Sequence, residues 1–178
     1  MMPSLLQTDN VSLRPIENSD LPLMYRLEND TALWDTTSFA QPISRSTLET
    51  FLNATTGNIY TDHQLRLVIE YSEPDKENIS VGFIDLSDFS PRHLRAEVGI
   101  AVVQEYRNIG IGSQALCLIE QYAKQMLMLH QLYAYVSPTN DISCKLFANA
   151  GYQVVGTLGD WMKTMQGYRP LEMLQKIL

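Results

Sequence analysis

Cysteine and histidine are scarce in this sequence, and their scarcity removes several chemistries at the outset. The two cysteines, Cys117 and Cys144, fall in separate helix-like segments with no Cys-x-x-Cys. Neither a disulfide framework nor a thiolate zinc site is expected, and both thiols read as buried. His63, His93 and His130 lack the spacing of a metal centre, so no metal is expected. Bases are few as well: 13 Lys and Arg against 20 Asp and Glu give a net charge of −7, which argues against a non-specific nucleic-acid binder. No apolar run reaches membrane-spanning length, and the opening MMPSLLQTDN has neither the basic start nor the apolar stretch of a signal peptide. A soluble cytoplasmic protein without membrane contact is the expectation. The 9 Gly and 8 Pro are scattered, which excludes low-complexity tracts.

What remains suffices for a core. With 178 residues, 45% of them hydrophobic, the chain is long enough for one domain spanning residues 1–178 and too short for two of ordinary size. Its charge is unevenly divided. Residues 1–90 carry 14 acids and 5 bases, a balance of −9, whereas residues 91–178 carry 6 acids and 8 bases, a balance of +2. Such a split lets one half face a cation and the other an anion, although it also serves solubility.

Periodicity gives the element order. Val11 to Ile16 reads as a strand, and Asn18 to Asp20 can cap a helix that tolerates Pro22 in its first turn and ends near Asn29. Ser46-Thr47-Leu48-Glu49 reads as a capping box opening a second helix. Leu65 to Tyr71 and Ile79 to Leu86 are β-formers around a turn-rich stretch, hence a hairpin. Ala96 to Val103 is a further strand, followed by a glycine-bearing turn and a helix with Ala115, Leu116, Ile119, Tyr122, Ala123 and Met126 at helical spacing. Leu132 to Val136 returns as a strand, Asn140 caps a helix stopped by Gly151, and the tail reads as two strands turned near Gln166-Gly167. Hairpins mixed with helix crossovers imply an α/β fold: a mixed sheet of about seven strands flanked by about four helices.

The most informative stretch runs from Glu97 to Ser113, a strand entering a turn that opens a helix. Gly110 and Gly112 carry no side chains to block close approach, so successive backbone N–H groups can converge on a phosphate at a helix N-terminus. Arg107 adds a permanent positive charge there. The Gly-Lys-Ser/Thr of a nucleoside-triphosphate loop is absent, and so is the sequence context of a dinucleotide fingerprint.

Arg107, Gly110 and Gly112 form an R-x-x-G-x-G turn, Asn140 opens the next helix, and Phe147, Gly151 and Tyr152 give an aromatic-x-x-x-Gly-aromatic ending. In these residues, and over nearly the entire chain, the sequence resembles the GNAT family of N-acetyltransferases. The resemblance implies a mostly antiparallel sheet and acetyl-CoA as cosubstrate. It assigns the pyrophosphate to the turn of Arg107, Asn108, Ile109, Gly110, Ile111, Gly112 and Ser113, and places Ile100, Ala101 and Val102 beside pantetheine and the thioester. Asn140 and Phe147 complete the implied cofactor set. His93-Leu94-Arg95-Ala96-Glu97, Leu13-Arg14-Pro15 with Asp20-Leu21, and Trp34 further resemble the spermidine and ribosomal-protein alanine acetyltransferases of the family.

Acetyl transfer to an amine requires removal of its proton, because a primary amine with a pKa near ~10.4 is protonated at neutral pH. Glu97 is the leading base candidate, the alternative being a structural strand carboxylate. The oxyanion is expected at the backbone N–H near Val102. Many relatives have tyrosine where this chain has Phe147, which cannot protonate the departing thiolate. Tyr152, Tyr135 or water are the remaining donors, and both tyrosines also read as packing residues. Glu28, Asp30, Asp35 and Glu49 make the amino-terminal, acceptor-side region acidic. The expected acceptor is a small cationic amine such as a polyamine; the alternatives are the amino terminus of a ribosomal or other basic protein, or no acceptor at all in an acyl-CoA sensor. The apolar carboxyl-terminal strand, with Leu171, Met173 and Leu174, is compatible with internal packing or with a homodimer.

Overall fold

The computed structural model, described for residues 5–34, 41–73, 77–164 and 166–178, gathers the chain's β-forming runs into one seven-stranded sheet. The strands are β1 (Val11–Pro15), β2 (Leu65–Tyr71), β3 (Ile79–Ser90), β4 (Arg95–Val102), β5 (Gln131–Val136), β6 (Gln153–Thr164) and β7 (Gly167–Ile177), in the order β1-β2-β3-β4-β5-β7-β6. Every pairing is antiparallel except β4 with β5, as expected of a mixed sheet. The helices are α1 (Leu21–Glu28), α2 (Arg45–Ala54), α3 (Ile59–Asp62), α4 (Ile111–Gln125) and α5 (Asp141–Asn149). The one not anticipated is α3, a single turn capped by the Asn58 side chain, too short to show a period.

Helix α4 buries Ile111, Ala115, Leu116, Leu118, Ile119 and Ala123 and packs over β1, β3 and β4. Its apolar stripe, together with Ile69, Ile84, Leu86 and Val98, is the centre of the core. Helix α1 contacts β3 and α2. A clamp fixes its start: Arg14 on β1 donates from both terminal nitrogens to the Asp20 carboxylate at 2.7 Å and from Nε to Glu70 at 2.7 Å. Asp20 is 3% exposed, and Arg14 holds its carboxyl below the usual range although burial opposes this.

Two local expectations are corrected. Helix α2 starts at Arg45, not at a Ser46 capping box: Ser44 is the cap, its Oγ accepting from the Thr47 N–H at 3.1 Å. The thiols are free but not buried, since Cys117 is exposed and Cys144 half-buried.

The feature that positions the site is the shortness of the parallel pairing. Strands β4 and β5 pair only at Arg95–Gln131, Ala96–Leu132 and Glu97–Tyr133. Beyond that point β4 continues against β3 alone and β5 against β7 alone, so the two strands part and leave a gap in the sheet.

Candidate active site

A cleft of about 600 Å³ occupies that gap and runs from the amino-terminal end of α4 to the face beneath α1. At one end lies the glycine turn. Asn108 and Gly110 adopt left-handed backbone conformations, at φ of 63° and 87°, and Gly110 is the N-cap of α4. The Gln114 N–H bonds the Gly110 carbonyl at 3.1 Å. The N–H groups of Ile111, Gly112 and Ser113 before it therefore have no acceptor within the helix, at the end where the dipole favours an anion. A Cβ built on Gly112 would lie 3.7 Å from the Leu146 methyls and 3.8 Å from Ile100, so the fold itself accepts a side chain there.

Most of the sequence-nominated residues meet in this cleft. Ile100, Ala101 and Val102 line it on the β4 side, and Arg107, Asn108, Gly110, Gly112 and Ser113 line its turn. Asn140 and Phe147 line the α5 side, and the Asn140 side chain caps α5 by accepting from the Ser143 N–H at 3.1 Å. Ile109 and Ile111 are not lining residues: Ile109 is 56% exposed and Ile111 faces the core, so only their backbone borders the turn. Arg107 leans back toward β4, its Nε donating to the Val102 carbonyl at 2.7 Å.

Glu97 lies half-buried at the apex of the gap, where β4 and β5 last pair. Burial raises its pKa, and the nearby Asp88 charge raises it further. At the far end of the cleft, Arg66 on β2 makes a bidentate pair with Asp85 on β3, both contacts at 2.9 Å, and donates to Glu28 of α1 at 2.8 Å. With Glu97, this end holds three acids and one base. Sequence reading named Glu28 and missed Arg66 and Asp85; the signal was a single charge inside each of two otherwise apolar strand runs, LRLVI and VGFIDL. Of the other acids nominated for the acceptor side, Asp30 accepts from the Ala32 N–H and does not line the cleft, and Glu49 is exposed outside it. Asp35 lies outside the described residues. Lys145 of α5 also lines the cleft and was not anticipated.

Tyr152 is the nominated residue that the fold takes elsewhere. Gly151, at φ 90°, turns the chain out of α5, and Tyr152 packs its ring edge-on to Phe147 at 5.0 Å, with the Lys176 ammonium 5.7 Å from its centroid. Its hydroxyl is buried without a hydrogen-bond partner among the described residues, and burial, then the Glu120 charge, push its pKa well above the phenol range. It does not line the cleft, whereas Tyr135 of β5, 40% exposed, does.

Known proteins resemble this chain in sequence and in fold. Residues 10–153 match the family model described as Acetyltransferase (GNAT) domain. The spermidine N(1)-acetyltransferase of Escherichia coli (strain K12) is 27% identical over 157 residues, covering 84% of this chain and 76% of its own. YoaA of Bacillus subtilis (strain 168), described as an uncharacterized N-acetyltransferase, is 27% identical over 165 residues, covering 89% and 88%. Among solved structures, the spermidine N-acetyltransferase of Vibrio cholerae in complex with CoA and spermine superposes with a TM-score of 0.82 at 22% identity, over 96% of both chains. A dodecameric structure of the spermidine N-acetyltransferase from Vibrio cholerae superposes at 0.78.

Proposed function

We propose, from the premise that this chain belongs to the GNAT acetyltransferase family, that it moves the acetyl group of acetyl-CoA onto a primary amine of a small polycation such as spermidine. The observation that carries the proposal is one continuous cleft with anion-binding N–H groups at one end and Glu28, Asp85 and Glu97 at the other. The named activity of the Escherichia coli relative supports the choice of acceptor.

The residues present fit CoA. The pyrophosphate meets the free N–H groups of Ile111, Gly112 and Ser113, with no Cβ at Gly112 in the way and Lys145 adding positive charge along the α5 wall. Pantetheine follows β4 through the gap, with Ile100, Ala101 and Val102 beside it and Asn140 and Phe147 opposite. The thioester carbonyl then lies near the apex, where Glu97 removes the proton of the acceptor ammonium. A carboxylate whose pKa is raised by burial is a stronger base for that proton transfer than an ordinary one. The amine nitrogen bonds the carbonyl carbon, a gap-facing backbone N–H of β4 between Glu97 and Val102 stabilises the oxyanion, the C–S bond breaks to release CoA thiolate, and the second proton of the nitrogen passes to water. Tyr135 is the proposed proton donor to that thiolate, in place of Tyr152 and of the hydroxyl that Phe147 lacks.

Self-association is part of the same reading. Strand β6 is exposed along most of its length, and Val154, Val155 and Trp161 face solvent on it, as Tyr168 does on β7. A second copy is the proposed cover. Incubation with acetyl-CoA and a panel of amines, following free thiol, tests the activity.

A further inference from the structure

We infer that Glu28 and Gly99 determine which amine this site accepts: an unbranched alkylamine that crosses the sheet over Gly99 and rests a second ammonium on Glu28. The inference deepens the acetyltransferase reading and rests on it. Its starting point is a glycine without a structural reason. Gly82 on β3 has one, because a Cβ there would stand 2.2 Å from the Ala101 carbonyl oxygen. Gly99 on β4 has none. A Cβ built on it would meet nothing within 4 Å, its φ lies outside the left-handed region, and the β3–β4 register runs unbroken through it. In a regular strand a glycine weakens pairing, and it is kept where another backbone or a ligand approaches closely. No backbone approaches Gly99, which leaves a ligand.

The alternation of β4 says which ligand. Its neighbours in the strand face α4: Val98 is buried in the core, and Ile100 lies 3.8 Å from the Cβ position of Gly112. Gly99 therefore opens on the other face, which carries Glu97 on the same strand and Asp85 directly across on β3. It lines the cleft there with Leu27 and Phe83, which give methylene groups an apolar wall. The open space over Gly99 thus joins the base to the acid cluster, on the face away from the helix whose N-terminus meets the cofactor phosphates.

Within that cluster the acids are not equally available. Both Asp85 oxygens accept from Arg66, at 2.9 Å from Nε and from Nη2, which is the pattern of an ionised carboxylate although burial pushes its pKa up. The rings of Phe51 and Phe83, at 5.9 and 5.5 Å, also hold the guanidinium in place. The charges of Asp85 and Arg66 cancel. Glu28 differs, since Arg66 Nη1 donates to its Oε1 at 2.8 Å and no described residue donates to its Oε2. The cluster therefore keeps one net negative charge, on a carboxylate that a fixed guanidinium orients and whose second oxygen is open to an ammonium. With Glu97 reserved as the base, such a site prefers an amine with a second positive charge to one without.

Steady-state kinetics of Gly99→Ala, Gly99→Val and Glu28→Gln with spermidine and with butylamine, alongside CoA binding and thermal melts, test the assignment. Gly99→Val should melt at or above the wild-type temperature, keep the CoA Kd within about twofold and raise KM for spermidine by about tenfold or more, with Gly99→Ala in between. Glu28→Gln should lower kcat/KM for spermidine by about tenfold and leave that for butylamine within about twofold. Unchanged KM for spermidine in Gly99→Val would overturn the inference. So would a CoA Kd that rises as far as that KM, because the space would then belong to the cofactor. Equal losses for both amines in Glu28→Gln would overturn it as well. If Gly99→Val does not fold, Gly99→Ala and Glu28→Gln decide. Absence of turnover in the wild type with every amine contradicts the acetyltransferase reading itself, whereas turnover indifferent to these variants contradicts only the assignment of specificity.

Discussion

Glu97 on β4 and Tyr133 on β5 are cross-strand partners at the last position where the two strands pair, and the sheet opens immediately beyond them. A carboxylate is thereby held half-buried at the mouth of the gap, while the Tyr133 hydroxyl turns to Asp88 on β3. Asp88 is exposed and adopts a left-handed φ of 44° where the β3–β4 register shifts.

The pH dependence of turnover follows from that pair. Burial and then the Asp88 charge raise the Glu97 pKa, so the base form is lost as pH falls through a value above the ordinary ~4.3 of a glutamate. The acid limb of kcat/KM should lie at that raised value, and Glu97→Gln should lower kcat by about 10²- to 10⁴-fold. Asp88→Asn removes a like charge and should move the limb to lower pH. A limb that stays in place would separate Glu97 from the proton transfer.

The two tyrosines behave oppositely. Tyr152→Phe deletes a buried hydroxyl without a partner outside the cleft, so kcat should hold and stability should change by no more than about 1 kcal/mol. Tyr135→Phe should lower kcat with little change in KM, because it removes a group proposed to act only as the thiolate leaves. Steady-state kinetics and thermal melts of both variants check this; a kcat loss in Tyr152→Phe alone would make Tyr152, not Tyr135, the proton donor.

Gly112 separates folding from cofactor binding. Its Cβ position meets ordinary van der Waals contacts with Leu146 and Ile100, so Gly112→Val should melt within a few degrees of wild type. The added methyls fill cleft volume and should weaken CoA by about tenfold or more, equivalent to about 1.4 kcal/mol, measured by calorimetry.

Arg14 tests the frame on which α1 and Glu28 depend. Arg14→Ala would leave the 3%-exposed Asp20 without its bidentate partner, a loss of about 3–5 kcal/mol by analogy with other broken buried pairs. Asp20 is the depressed-pKa case: its contribution is fully present above its unfolded pKa of ~3.9 and is lost as pH falls through the lower folded value. Wild-type stability should therefore decline below about pH 4 more steeply than that of Arg14→Ala, as urea titrations across pH would show.

What was legible in the sequence was what local chemistry decides. The R-x-x-G-x-G turn, the Asn140 cap, the apolar stripe of α4 and the glycine stops at Gly151 and Gly167 each depend on a few adjacent residues, and the structure places each of them as expected. The gap between β4 and β5 was not legible, because it is set by where a non-local pairing ends. The Glu28–Arg66–Asp85 cluster needs the β2–β3 register and the packing of α1 before its members meet. Tyr152 was misplaced because an aromatic beside a helix-ending glycine reads alike whichever side of α5 the left-handed turn selects. Leu13-Arg14-Pro15 and Asp20, which resemble a polyamine-group motif, prove to be the ends of a structural clamp. The charge asymmetry is only partly the division it suggested. Glu28 and Asp85 come from the acidic half and Arg107 and Lys145 from the basic half, but Glu97 belongs to the basic half and Arg66 to the acidic one.

The measurement that bears most directly on the function is release of free CoA from acetyl-CoA in the presence of spermidine, spermine, small monoamines, aminoglycosides and a peptide carrying a ribosomal-protein amino terminus. The expected result is thiol release that depends on amine and is fastest with the polyamines, with KM for spermidine rising in Glu28→Gln and at higher ionic strength. Tight CoA binding without amine-dependent thiol release anywhere in the panel would contradict it and leave an acyl-CoA sensor; release with the peptide alone would contradict the choice of acceptor.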